Sequence, residues 1–215
     1  MRRNGSGVRG PGVAHEQRRR DILEAVFTIV DTEGTDQVSI RRVADTAGVS
    51  LGRVQHYFPT KDALLAEAFA AINDQGADRV RERLLQEGNT ATPARVLHVV
   101  LTELIPDTDA ERRLVRIAQA FEAYAHTRPE LKERLTRDYR ELASLLMRLL
   151  RDCVYSQADA GGDPSEFHAD AYELLALATG LAALVTTENL DARRAFDIIA
   201  ARLEGMLETH RRRRP

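Results

Sequence analysis

The chain has 215 residues, 43% hydrophobic and 30% charged, with 33 acidic against 31 basic side chains and a net charge of −2. That is enough apolar mass for one core or two smaller ones, in the proportions of a soluble globular protein. The single Cys153 excludes an intramolecular disulfide, and the basic start Met1-Arg2-Arg3 runs into glycines rather than into the apolar stretch of a secretory signal.

Aromatic residues are few, tryptophan is absent, and runs of β-branched residues are rare, so an all-α fold of about nine helices is expected. Residues 1–13 read as a disordered basic arm carrying Arg2, Arg3 and Arg9. Within it Gly5 to Gly10 matches G-x-G-x-x-G, but no strand precedes it and no βαβ unit follows, so a dinucleotide site is rejected. The first helix is predicted over about Ala14 to Asp31, with Ile22, Leu23, Val26, Phe27 and Val30 as its buried stripe and Arg18, Arg19 and Arg20 on a solvated face.

The stretch from Val38 to Leu65 is the most informative. Ser39 is placed to cap a short helix that starts at Ile40 and stops at Gly48, because only glycine takes a left-handed conformation without steric cost. Ser50 caps the next. Val43, Ala44 and Ala47 share a face of the first helix, and Val49, Val54 and Tyr57 face them from the second. This is the pattern of a helix-turn-helix, whose second helix enters the DNA major groove. Pro59 disfavours helix at Phe58, Thr60 caps a third helix, and Leu64, Leu65, Ala68, Phe69 and Ile72 continue it toward Gln86 with an interruption expected at Gly76.

Beyond a loop from Gly88 to Pro93, helices are expected over Pro93 to about Leu104, Ala110 to His126 and Pro129 to about Tyr155. A break at Gly161 to Pro164 is followed by two more, to Thr187 and from Asp191 to His210. The penultimate helix is apolar nearly all round, which predicts burial on every side. Its longest apolar run, Leu174 to Val185, is too short to span a bilayer, so no membrane is expected and the chain is read as cytoplasmic. Cys153, among Leu149, Leu150 and Val154, reads as a buried structural thiol rather than a redox sensor. The charge is unevenly divided. Residues 1–61 hold ten Lys/Arg against seven Asp/Glu, net +3, and residues 62–215 hold 21 against 26, net −5. The basic surplus lies with the helix-turn-helix, as phosphate neutralisation requires.

Ser39-Ile40-Arg41-Arg42-Val43-Ala44, Ala47-Gly48-Val49-Ser50, Gly52, Tyr57-Phe58, Lys61 and Leu64-Leu65 together resemble the DNA-binding signature of the tetracycline-repressor (TetR) family. One departure is Gln55, where members usually carry tyrosine; it keeps hydrogen bonding and loses the aromatic face. The C-terminal pattern, with Pro129 opening a helix and Thr179-Gly180-Leu181 in a leucine-rich one, is similar to the choline-responsive, betaine-regulator-like branch. The resemblance implies a DNA-binding domain over residues 14–62, a helical ligand-binding and dimerisation domain over 63–210, and a basic tail at 211–215. It implies a ligand-responsive, sequence-specific regulator, by family default a repressor, that binds a palindromic operator as a dimer and is released by a small apolar or amphipathic effector.

Candidate base contacts are Leu51 to a thymine methyl, Arg53 to guanine and Gln55 to adenine, with His56 exposed beside them and Gly52 permitting close approach. Arg41 joins them through the resemblance. Ser39, Ser50, Tyr57 and Lys61 are candidate phosphate contacts. Leu97, Leu101, Ile117, Phe121, Tyr124, Tyr139, Leu142 and Leu146 are candidate pocket residues, though residues of each kind are more often plain core than pocket wall. Leu174, Leu177, Ala178, Leu181, Leu184, Val185, Phe196, Ile199, Leu203 and Met206 form either a four-helix dimer interface or a monomer's own core, and periodicity does not separate the two. No cofactor, metal or catalytic residue is expected. The rival readings are a helical interaction protein that uses the motif for protein contacts and a helical-bundle metalloenzyme. The second lacks paired Glu-x-x-His motifs, leaving only Glu122 and His126 at i and i+4.

Overall fold

The computed structural model describes residues 11–86, 91–155 and 162–213, and every regular element among them is helical. The proposed basic arm therefore lies outside the described residues except for its last three positions, as do Gly88 to Thr90, Gly161 and the end of the tail. The chain divides into two compact units between Ala71 and Ile72.

The first unit is built from α1 (Pro11–Glu33), a 3-10 turn (Thr35–Gln37), α2 (Ile40–Ala47), α3 (Leu51–Tyr57) and the first part of α4 (Lys61–Gln86). Helix α1 packs on α2, and α2 on α3. The predicted stripe of α1 is buried, and Val43, Ala44, Val54, Phe58, Leu64, Leu65 and Ala68 complete this core. Leu64, Leu65 and Ala68 lie beyond residue 62, which is why the compact unit extends into α4. Helix α4 runs without a break through Gly76, where a side chain would meet only the end of Arg79, so the expected interruption is absent. Glycine within a helix costs about 1 kcal/mol against alanine, too little to break a helix of this length.

The second unit contains the rest of α4, α5 (Pro93–Glu103), α6 (Asp109–Ala125), α7 (Pro129–Val154), a 3-10 turn (Pro164–Phe167), α8 (His168–Thr186) and α9 (Ala192–Arg213). Proline opens α5 and α7, where its missing N–H would be unpaired in any case. Helix α7 contacts α5, α6, α8 and α9. Leu97, Leu101, Leu146, Leu150, Leu174, Ala178, Ile199 and Leu203 belong to one core. Arg79 and Arg83 of α4 both pair with the largely buried Glu103 of α5, and Arg83 also donates to the buried Thr102 hydroxyl. Half-buried Cys153 packs against the core. Burial pushes its thiol up to about 11, so it is not a reactive thiolate.

Helix α8 departs from expectation. It is buried along Ala171, Leu174, Leu175, Ala178, Leu181, Ala182 and Val185, but not on every side. Tyr172, Ala176, Gly180 and Leu184, each four residues from the next, form an exposed line, with Tyr172 39% and Leu184 46% accessible. Ile198, Ala201 and Gly205 of α9 are exposed as well. With its flank, the stretch Pro164–Thr186 has a membrane span's length, and 18 consecutive residues within it reach a mean hydropathy of 1.3, more than the shorter apolar run implied. Here that helix packs on α5, α6, α7 and α9.

The Thr108 hydroxyl accepts from the Glu111 amide at the start of α6, and the Glu111 carboxylate accepts from the amides of Asp107 (2.8 Å) and Thr108 (3.0 Å). Burial alone would push this carboxyl up. The two amides, the Thr108 side chain and the Arg79 guanidinium outweigh that and hold it below the usual carboxylate range. A carboxyl lowered by folding stabilises the protein above its unfolded-state value, and that stability is lost as pH falls through the folded value. Thermal melts over a series of pH values should therefore show Glu111→Gln less stable than the parent at neutral pH, the gap closing below about pH 4. A gap of constant size would contradict this account of the cap.

Candidate nucleic-acid interface

The turn between α2 and α3 is fixed by local chemistry. Ser39 caps α2, its hydroxyl accepting from the Arg42 amide at 3.2 Å, and Ser50 caps α3 by accepting from the Arg53 amide at 3.3 Å. Gly48 lies at φ 64°, ψ 33°, in the left-handed region, and the Val49 amide returns to the Ala44 carbonyl at 3.0 Å. Val43 and Ala44 from α2, Val54 from α3 and Phe58, which caps α3, are all buried. With Val54 turned inward, Leu51, Gly52, Arg53, Gln55 and His56 of α3 face out.

Leu51, Gly52, Arg53, Gln55 and His56 are all exposed, Leu51 to 45%. Ser39, Arg41 and Ser50 are exposed on the same two-helix segment. A Cβ added at Gly52 would meet nothing within 4 Å, so its small size is not a packing requirement of this chain. The Ser39 and Ser50 oxygens act as acceptors in their caps, which leaves each hydroxyl its own hydrogen to donate. Lys61, half-buried at the start of α4, donates from Nζ to the Asp36 carbonyl at 3.2 Å. Nearby, Arg42 is paired with Glu33, and Arg19 with Glu67. Tyr57, expected at a phosphate, is half-buried, its hydroxyl within 3.1 Å of His15 Nδ1 and 3.3 Å of the His15 carbonyl on α1. His15 was not anticipated. It lies 42 residues away, and a solitary histidine in a charged stretch carries no pattern.

Of the eight candidate pocket residues, Leu97, Leu101 and Leu146 belong to the main core, and Tyr139 and Leu142 pack against it. Ile117, Phe121 and Tyr124 are buried along α6. The Tyr139 hydroxyl donates to Glu122 Oε1 at 2.7 Å, joining α7 to α6; burial first, and then that carboxylate, raises the phenol above its usual range. The Arg128 guanidinium lies 3.4 Å over the Tyr124 ring. An open cleft of about 340 Å³ on α7, lined by Arg137, Arg140, Glu141, Ser144 and Arg148, shares none of the eight.

Of the ten residues assigned to either a dimer seam or a core, Leu174, Ala178, Leu181, Val185, Ile199, Leu203 and Met206 are buried within the protomer's own core. In the protomer these seven side chains pack inward. Leu177 and Phe196 are partly buried, and only Leu184 is exposed.

Two short capped helices joined through a left-handed glycine, the second showing solvent a polar face, define a helix-turn-helix protein. The family profile described as "Bacterial regulatory proteins, tetR family" matches residues 22–68. That described as "BetI-type transcriptional repressor, C-terminal" matches residues 93–208. The chain belongs to the tetR family of bacterial regulatory proteins, whose members are transcriptional regulators and not enzymes. It is 31% identical over 55% of its length to the transcriptional regulator PksA of Bacillus subtilis, a match that spans 57% of that relative. It is 27% identical over 89% of its length to the regulator BetI of Vibrio campbellii, spanning 93% of it. A solved transcriptional regulator from Rhodococcus sp. RHA1 superposes with a TM-score of 0.72 at 27% identity, over 89% of this chain and 96% of that one.

Gly48→Ala tests the turn. It forces a β-carbon into a left-handed conformation and should cost ~1 kcal/mol of head stability, read from chemical denaturation. Gly52→Ala, inside a helix and in open space, should cost nothing. Equal losses would contradict the turn geometry.

Proposed function

We propose that this regulator binds a palindromic operator in double-stranded DNA as a homodimer, represses from it, and releases it on binding a small apolar or amphipathic effector. The observation that carries the reading is the exposed outer face of α3, with Arg53, Gln55 and Leu51 unburied while Val54 and Phe58 are locked in the core. Arg53 is suited to guanine O6 and N7, Gln55 to adenine N6 and N7, and Leu51 to a thymine methyl. Arg41 and His56 extend this surface. The capping serines, Tyr57 and Lys61 hold the phosphates on either side.

A single head reads a few base pairs, so specificity calls for two. The exposed line Tyr172, Ala176, Gly180 and Leu184 on α8, with Ile198, Ala201 and Gly205 on α9, supports a twofold bundle of four helices. Alanine and glycine in that line allow close approach. Leu184 is shared with the set read from the sequence, and Leu177 and Phe196 border it.

The effector reading draws on α6, with Phe121 and Tyr124 buried, and on α7, with Leu146 buried and Leu142 half-buried, the two helices joined by the Tyr139–Glu122 hydrogen bond. Release requires that the effector prefer the conformation that does not bind DNA. A cytoplasmic location follows from access to DNA.

Fluorescence anisotropy on DNA from the region upstream of the protein's own gene tests the DNA reading. Arg53→Ala should cost ~1–3 kcal/mol and relax preference at one base position, whereas Lys61→Ala should weaken all sequences alike and flatten the salt dependence. Unchanged preference for Arg53→Ala, or a loss confined to one base pair for Lys61→Ala, would contradict these roles.

Sedimentation equilibrium tests the dimer. Ile198→Asp should give a monomer that keeps the parent's helical content by circular dichroism, because the side chain is 41% exposed in the protomer. A dimer that persists, or a parent protein that is monomeric, would contradict the assigned face.

A further inference from the structure

We infer that Glu173 and Arg202 are the specificity-determining charges of the self-association face, closing against the same pair on a second copy. This rests on the dimer reading above and deepens it by naming what makes that face accept its own kind. Within one protomer, Arg202 Nε of α9 donates to Glu173 Oε1 of α8 at 2.5 Å, and Nη2 donates to Oε2 at 2.8 Å. A two-point pairing of this kind holds both groups in one fixed orientation. Both remain open to water, with 43% of the Arg202 side chain and 48% of the Glu173 side chain accessible.

Their placement matters more than their strength. Glu173 is three residues from Ala176 and seven from Gly180, so it lies on the exposed line of α8. From Leu174 to Thr186 that helix carries no charged residue. Its other carboxylate, Asp170, is half-buried and meets His210 Nε2 at 2.8 Å. On α9, Arg202 is four residues from Ile198 and three from Gly205, at the edge of the face they expose. The pair therefore bridges the seam between the two exposed lines. Isolated in water, such a pair contributes little to a protomer's stability.

A twofold interface presents one patch to itself. A lone charge near the axis meets its like and repels it. One acid beside one base complements its own rotated image: Glu173 faces Arg202 of the partner subunit, and Arg202 faces the partner's Glu173. The four groups then alternate in sign within a surface that is otherwise apolar and small. A chain that lacks either charge is refused, because it leaves a desolvated charge without a partner.

Sedimentation equilibrium of the full chain is the test. Glu173→Lys and Arg202→Glu should each raise the dimer dissociation constant about a hundredfold, the effect of a desolvated charge that faces its like. Mixed in equal amounts, the two variants should regain a dimer, since one shows only cations in the patch and the other only anions. Reversing both in one chain, Glu173→Arg with Arg202→Glu, should dimerise like the parent. Asp197→Lys, the same change of charge at another exposed position of α9, should do so too. Circular dichroism should show the parent's helical content throughout. Single reversals that dimerise like the parent would overturn the inference and leave the dimer reading standing. So would a mixture that stays monomeric, which would make the pair a brace within one protomer, or a loss for Asp197→Lys as large as that for Glu173→Lys. Should a single reversal lose helical content, the double reversal decides, and a monomeric double reversal would overturn the inference. A monomeric parent would remove both readings.

Discussion

The structure of the head depends on one constraint: α2 and α3 must meet through a turn that only a left-handed residue can make. Gly48 supplies it, and two serine caps fix where each helix begins. Once the turn is set, Val43 and Ala44 can reach Val54 and Phe58, and that small apolar contact decides which way the rest of α3 points. The polar face is a consequence of the core, not an independent feature. A surface of arginine, glutamine and histidine costs nothing to leave in water, and it is held rigid by residues that do cost something to expose.

The second unit follows the same logic with longer helices. Its core is assembled around α7, and α8 contributes one buried side to it. What remains on α8 and α9 is an apolar line with small residues, which a solitary protomer leaves in contact with water. Single exposed apolar residues need no explanation, and the proposed twofold bundle is the partner surface that would cover this aligned set. Between the units α4 is one unbroken helix. Its first turns contribute to the head core, and Arg79 and Arg83, farther along, hold Glu103.

Much of this was legible in the sequence where the determining chemistry is local. Glycine at a left-handed turn, serine at a helix start and proline in a first turn act within a few residues. The head and most helix boundaries could therefore be read directly. Gly76 misled because its weak propensity is outweighed by a helix of 26 residues. Periodicity identified the apolar residues of α8 and α9 but could not say whether they face their own protomer or a second copy. Leu174 and Ile199 proved to be core, while Leu184, with the same chemistry, is exposed. Tyr57 was singled out and His15 was not, because their contact joins segments 42 residues apart and no spacing rule relates them.

The central claim is that two heads, each showing the outer face of α3, read one duplex. Hydroxyl-radical footprinting of the protein on DNA from upstream of its own gene tests it most directly. The account predicts two protected half-sites related by an inverted repeat and lying on one side of the helix. A single protected half-site, or protection spread without regard to sequence, would contradict it.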